Sequence, residues 1–296
     1  MGSSNGGRDS SQPQNIIDTC RSLGVSAGLA QTNPQLNARS GGNVDLKAET
    51  SDSFTAGFVF SPEVNWASNF AITADYYNLD IDDAVQGRSP GDLITSCVNT
   101  GDPGFCDSVQ RTSAGRISLV DNQLQNIGAI ESSGYDLGVT FTSNDTSVGV
   151  FNSRFNATLL DDYLERTPNP DGTETVTNRT GTHTSETFER AFPELRATSS
   201  VCWRSISDRW NGSMTFRYVD DMEAANGETL DSALFTDIQL SYTPSFAEDA
   251  VTITLGINNV FDEEPPVLNT SLEGVSLVPH DIPGTVGYLR FKYQPN

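Results

Sequence analysis

The sequence predicts an all-β chain: an antiparallel, transmembrane-type β-barrel, partial, of about 9–10 strands, with long loops at one end. Three observations carry that expectation. Nine extended segments recur with period-two alternation between residues 51 and 293. The connections between them run about 7, 40, 3, 32, 3, 14, 7 and 23 residues, so every second one is short. A membrane barrel needs tight turns on one side and tolerates large loops on the other, whereas a soluble sandwich has no reason to sort its loops. Finally, no stretch approaches the roughly 18 apolar residues of a membrane helix, which leaves strands as the only means of crossing.

Taken in order, residues 1–50 are rich in Gly, Ser, Asn and Gln and read as a flexible N-terminal loop segment, with at most a helical turn near Ile16–Leu23. Residues 51–296 form the barrel segment. Its strands are expected at Ser51–Ser61, Asn69–Asp83, Leu124–Ser143, Ser147–Asp162, Leu195–Ile206, Trp210–Val219, Leu234–Thr243, Val251–Val260 and Gly284–Tyr293. Phe54, Ala56, Phe58 and Phe60 share one face of the first, against Ser53, Thr55 and Gly57. Val251, Ile253, Leu255 and Ile257 oppose Thr252, Thr254, Gly256 and Asn258 in the eighth. Small polar residues on the second face suit a wet lumen. A soluble sandwich with one solvated face shows the same alternation, so the loop sorting decides between them. Trp66, Tyr76, Tyr77, Tyr135, Tyr163, Trp203, Trp210, Tyr218, Tyr242, Tyr288 and Tyr293 recur along the strands, some at their ends as interfacial aromatics do and several mid-strand.

The connections follow the same logic. Ala84–Gln123 holds a cysteine pair and a small hairpin near Arg116–Asp121, Tyr163–Glu194 is a Pro-, Asn-, Gly- and Thr-rich loop containing His183, and Phe261–Pro283 opens on Asp-Glu-Glu-Pro-Pro. Cys97 and Cys106 flank a Gly-Asp-Pro-Gly turn and make a good disulfide loop and a poor zinc site. A disulfide implies an oxidising compartment. Cys20 and Cys202 are either a second pair or two free thiols. Met1 opens a segment without the basic and apolar regions of a signal peptide, so the start reads as that of a fragment or of a trimmed chain.

The net charge of −22 opposes nucleic acid as a partner, because phosphate binding needs clustered Lys and Arg. Asp80, Asp82 and Asp83 are weak divalent-cation candidates, read first as a solvated rim; Asp161-Asp162 and Asp220-Asp221 are expected at equivalent strand exits. Two histidines and no Cys/His spacing oppose a transition-metal centre, and no phosphate loop or dinucleotide motif is present, so no cofactor is expected.

At the C-terminus the residues resemble a known family. Asp237–Pro244, Val251–Pro266 and Gly284–Tyr293 look like the closing strands of a TonB-dependent outer-membrane receptor. Gly256-Ile257-Asn258-Asn259-Val260-Phe261-Asp262 resembles its G-x-x-N-L-F-D segment, and Asn43–Glu49 its entrance to a barrel strand, with Ala48 where Pro is usual. The resemblance covers residues 43–296. It implies localisation in the bacterial outer membrane, contact with the lipid bilayer and lipopolysaccharide, no enzymatic chemistry, and uptake by the parent protein of a siderophore, a metal chelate or an oligosaccharide. It also implies a TonB partner, reached through an N-terminal plug and box that this chain lacks. An even strand count is required for closure, so either a tenth strand comes from residues 1–50 or the piece is an open half-barrel.

Two alternatives belong to other classes. Gly24-Val25-Ser26-Ala27-Gly28 matches the G-x-S-x-G nucleophile elbow, which makes Ser26, with His280 as base, a candidate serine esterase; the strand before and helix after that the elbow needs are not visible in the pattern. A soluble β-rich binding protein using its long loops is the other. Dependence on detergent separates the receptor from both.

Overall fold

A computed structural model describes residues 12–31, 33, 35–126, 128–168, 173–184, 190–224, 226–247, 250–269, 274–276, 278–281 and 283–294. Nine long strands form one meandering sheet in sequence order: β1 (Thr50–Phe60), β2 (Ala67–Asp82), β3 (Ala129–Ser143), β4 (Val150–Pro168), β5 (Leu195–Arg204), β6 (Trp210–Val219), β7 (Ala233–Tyr242), β8 (Val251–Asn258) and β9 (Val286–Tyr293). Each is the strand expected from its alternation. Neighbours from β4 to β9 run antiparallel, and every second connection is short. The path ends at β1 on one side and β9 on the other, so the sheet is an open, partial barrel. Among the described residues before Thr50, none joins it as a tenth strand: Ala38–Arg39 pairs instead, in parallel, with residues 120–121 of a separate small sheet.

The registers separate the two faces of this sheet. One row across β4 to β9 reads Phe151, Trp203, Gly212, Leu240, Leu255 and Leu289, and an adjacent row reads Trp210, Tyr242, Ile253 and Phe291 across β6 to β9. The row on the opposite face reads Asn152, Cys202, Ser213, Gln239, Gly256 and Tyr288. Apart from Gly212, side chains on the first face are large and apolar, and many are uncovered by protein; Leu255 is 57% exposed and Phe291 67%. An apolar band of this extent is unstable in water and stable in hydrocarbon. Trp210 and Tyr218 sit eight residues apart on it, about 26 Å at about 3.3 Å per residue. Tilted by about 40°, that run rises about 20 Å, most of the roughly 25 Å apolar band of a membrane barrel. Aromatic pairs mark its short-turn edge, where Trp210 lies 4.4 Å from Tyr242 and Trp66 stacks 5.9 Å from Phe141. The second face is polar: Tyr288 Oη donates to Gln239 Oε1 at 2.9 Å, and the Ser241 and Thr254 hydroxyls bond at 2.8 Å.

Two strands differ from the sequence reading in length. β3 begins at Ala129 rather than Leu124, because Gln125-Asn126 form a separate two-residue ladder with Val85-Gln86 and Gly128 adopts φ +123°. β4 continues to Pro168 where a loop was expected from Tyr163, because it pairs with a further strand, Glu174–Asn178. Asp161 and Asp162 therefore lie within a strand and not at its exit.

By their internal contacts, residues 1–51, 81–129 and 166–175 form one compact unit, and residues 52–80, 130–165 and 176–296 another. The first contains α1 (Gln14–Ser22), α2 (Pro90–Thr100), α3 (Pro103–Cys106) and a hairpin of Val109–Arg111 with Ile117–Asp121. Helix α2 was not foreseen, although Leu93, Ile94 and Cys97 carry the required spacing. Leu93, Cys97, Val109 and Val120 are buried together as its core. The Asp102 carboxylate caps α3 by accepting from Gly104 N at 2.9 Å, with Pro103 at the first helical position. Cys97 and Cys106 form the disulfide between α2 and α3. Cys20, buried, and Cys202, exposed, are both free thiols. Closing so short a loop restrains the unfolded chain by about 2–3 kcal/mol. Cys97→Ala/Cys106→Ala is accordingly expected to unfold residues 90–121 at lower urea, by that amount, while the far-ultraviolet strand signal of the sheet persists; circular dichroism during the titration checks both.

Candidate binding site at the loop end of the lumen face

Four strands and one loop build a cavity of about 440 Å³ on the polar face. Asn156 and Thr158 come from β4, Arg196 and Thr198 from β5, Arg217 from β6 and Phe235 from β7, all at the long-loop end; Pro279 and Asp281 of the β8–β9 loop close it. Strand alternation places each of these strand residues inward. The Arg217 guanidinium organises the floor: it pairs with Asp237, donates from Nη2 to Asp281 at 2.6 Å, and lies 5.8 Å over the Phe235 ring. Arg196 lines the same cavity and has no carboxylate partner among the described residues. Arg217 holds two carboxylates and Arg196 none, so the charges about the space balance, with Arg196 as the unpaired cation.

Asp237 also joins this floor to the strand exit. Its Oδ1 accepts from Asn259 N at 2.9 Å. Asn259 Nδ2 donates to Glu263 O and its Oδ1 accepts from Glu263 N, at 2.8 and 2.9 Å. Asp262 Oδ1 accepts from Thr285 N at 2.9 Å, and Thr285 Oγ1 donates to Asn259 O at 2.7 Å. Asn259 and Asp262 take φ of +49° and +56°, a conformation that Asn and Asp tolerate best after glycine. The motif thus clamps the two ends of the β8–β9 loop together. Asn258 ends β8, paired with Val286, and Phe261 projects outward at 74% exposure. Gly256 lies beneath Tyr288, where a Cβ would stand 2.2 Å from the ring.

Above the sheet, the β4–β5 and β6–β7 loops pair. Thr182–Thr184 lies between Arg190–Phe192 and Met222–Ala224 in a four-stranded sheet that Thr229–Leu230 completes. Val219, Met222, Ala224, Leu230 and Leu268 form its buried core. Glu165, on the extension of β4, receives Arg179 Nε and Arg190 Nη1, each at 2.8 Å. Burial opposes its charge, yet the two guanidiniums hold its carboxyl below the usual carboxylate range.

The remaining sequence candidates lie elsewhere. Ser26 is exposed in the turn after α1, with a helix before it and no helix after it, so the elbow geometry is not met. His280 is 5% exposed and bonds Ser276. Asp80, Asp82 and Asp83 are exposed at the end of β2, and no cluster of metal-ligating side chains occurs among the described residues. His183, read as a loop residue, is a buried strand residue at 1% exposure. Arg196, Arg217 and Phe235 escaped sequence reasoning. Their signal was present as charged and aromatic residues at inward positions of predicted strands.

The family model described as TonB dependent receptor-like, beta-barrel, matches residues 6–260. No curated protein matches the sequence. Among solved structures, the FrpB iron transporter from Neisseria meningitidis (F5-1 variant) is 14% identical with a TM-score of 0.50, over 87% of this chain and 33% of that one. The outer membrane transporter YddB from Escherichia coli is 14% identical with a TM-score of 0.51, over 86% and 33%. The siderophore receptor PirA from Acinetobacter baumannii is 15% identical with a TM-score of 0.51, again over 86% and 33%. The chain spans about a third of the length of these structures.

Proposed function

Because the chain belongs to the family of TonB-dependent receptor-like β-barrels, and so to the bacterial outer membrane, we propose that it forms wall and loops of a receptor that binds a small anionic nutrient complex, such as a ferric siderophore, in the cavity of Arg196 and Arg217. The parent protein would carry the ligand inward with TonB, through parts outside this chain. The observation that carries the reading is the charge of the lumen face. In a chain of net charge −22, inward positions of β5 to β9 hold Arg196, Arg204, Arg217, Arg290 and Lys292 against the single carboxylate Asp237. The inward positions of β2 and β3 carry Asp75 and Asp136 instead, so the cationic wall is that of β5 to β9. A neutral oligosaccharide gains nothing from that sorting, whereas an anionic chelate does. No chemistry on the ligand is required.

Tryptophan fluorescence of the chain in detergent micelles at pH 7.5 tests this. A trianionic ferric catecholate complex should bind saturably and maltoheptaose should not. Arg196→Ala should weaken the first by about tenfold or more, the value of one charge-assisted hydrogen bond. Equal binding of both probes, or an unchanged Kd in the variant, would remove the anionic reading.

A further inference from the structure

The only two histidines of the chain meet at one buried hydroxyl. Ser276 Oγ lies 3.3 Å from His183 Nε2 and 3.3 Å from His280 Nδ1, and it donates to Val278 O at 2.9 Å. The three side chains are 0%, 1% and 5% exposed. His183 stands in the β4–β5 loop, Ser276 and His280 in the β8–β9 loop, so this contact fastens two long loops to each other.

The hydrogen-bond inventory assigns the protons. The Ser276 hydroxyl has one hydrogen, spent on Val278 O, and two lone pairs. Both imidazoles must therefore donate to it: His183 from Nε2–H and His280 from Nδ1–H. The Nε2 of His280 is then a bare lone pair, buried and without a hydrogen-bond partner among the described residues. A second proton on this ring would need an acceptor there and finds none. The charged groups facing His280 are His183 across the hydroxyl, Arg196 of β5, which repels a further cation, and the neighbouring Asp281, which attracts one. Burial, His183 and Arg196 together prevail and push its pKa down from 6.5 to about 4.

We propose that His183, Ser276 and His280 form a proton-released latch that holds the β8–β9 loop, and with it Pro279 and Asp281, over the lumen cavity at neutral pH and lets it go in acid. The sign follows from linkage. The closed latch keeps the His280 ring neutral, while an opened His280 titrates at its ordinary value. The closed form is therefore favoured fully above pH 6.5 and loses up to about tenfold in its closing equilibrium for each pH unit below that, until about pH 4 is reached. Release withdraws Asp281 from Arg217 and leaves that guanidinium more open to an anion. This consequence rests on the cavity reading above; the latch itself does not.

Nitrogen-15 NMR of histidine-labelled chain in micelles reads the latch without any ligand. At pH 7.5 two ring N–H signals are expected, one in each assigned tautomer, protected from solvent. Between pH 6.5 and 4 both should vanish in one cooperative step into freely titrating imidazolium. Ser276→Ala should move that step to higher pH by at least half a unit, and His183→Phe, which keeps a ring but removes one titrating group, should make it less steep. Independent titration of both rings near 6.5 in averaged tautomers would overturn the latch. So would signals that persist unchanged at pH 4, or an unmoved midpoint in Ser276→Ala. Loss of chelate binding at pH 7.5 with this titration intact would instead sink the cavity reading alone.

Discussion

Gly256→Val is expected to destabilise the sheet by about 3 kcal/mol, the upper end of what overpacking costs a well-packed site. Tyr288 is paired directly with Gly256 on the lumen face, and a Cβ there would stand 2.2–2.5 Å from Cζ, Oη and Cε1 of its ring. The tyrosine has little freedom to retreat, because its hydroxyl is bonded to Gln239 on the strand beyond. The same joint recurs where Gly134 of β3 receives Tyr77 of β2, whose hydroxyl would lie 2.6 Å from a Cβ. Gly256→Val should lower the urea midpoint in micelles, and Tyr288→Ala alone should lower it by less. The double variant should recover most of the valine penalty, since the clash needs both partners. Additive effects of the two changes would mean that the glycine serves the backbone and not the ring.

That pair shows why part of the fold was legible and part was not. The order of the nine strands follows from alternation and loop length, which are local properties of the chain; all but β3 and β4 lie close to where their period-two pattern ends in turn residues. The family motif was equally readable as a string. Its physical meaning was not, because Asn259 and Asp262 act through partners at Asp237, Pro283 and Thr285. The extension of β4 to Pro168 was hidden for the same reason. Its polar sequence reads as loop, and it is a strand because Glu174–Asn178 lies beside it and two arginines gather on Glu165.

The site was less legible than the sheet. Alternation says that Arg196 and Arg217 point away from lipid, but not that Asp281 returns from the β8–β9 loop to meet one of them. His280 attracted notice as a base for Ser26. Its actual neighbour is Ser276, four residues earlier in the same loop, and the second ring comes from a separate loop altogether. Short-range patterns such as G-x-S-x-G fail here because a nucleophile elbow is a strand–turn–helix object, and Ser26 follows α1 in a turn.

Two neighbouring substitutions on β6 decide which face of the sheet meets hydrocarbon. Met214 projects with Val201 and Ile238 on the apolar face, and Thr215 with Ser200 and Asp237 on the polar one. Met214→Arg is expected to cost about 2–4 kcal/mol, the price of a guanidinium near the bilayer midplane. Thr215→Arg adds the same side chain one residue away, where Asp237 and water can receive it, and is expected to change stability by less than about 1 kcal/mol. The contrast follows from register alone, since a slip of one residue would exchange the two outcomes. A water-filled groove on both faces would make the two substitutions equally mild; a dry core on the polar face would make Thr215→Arg the worse. Urea unfolding of both variants in lipid nanodiscs measures the difference directly.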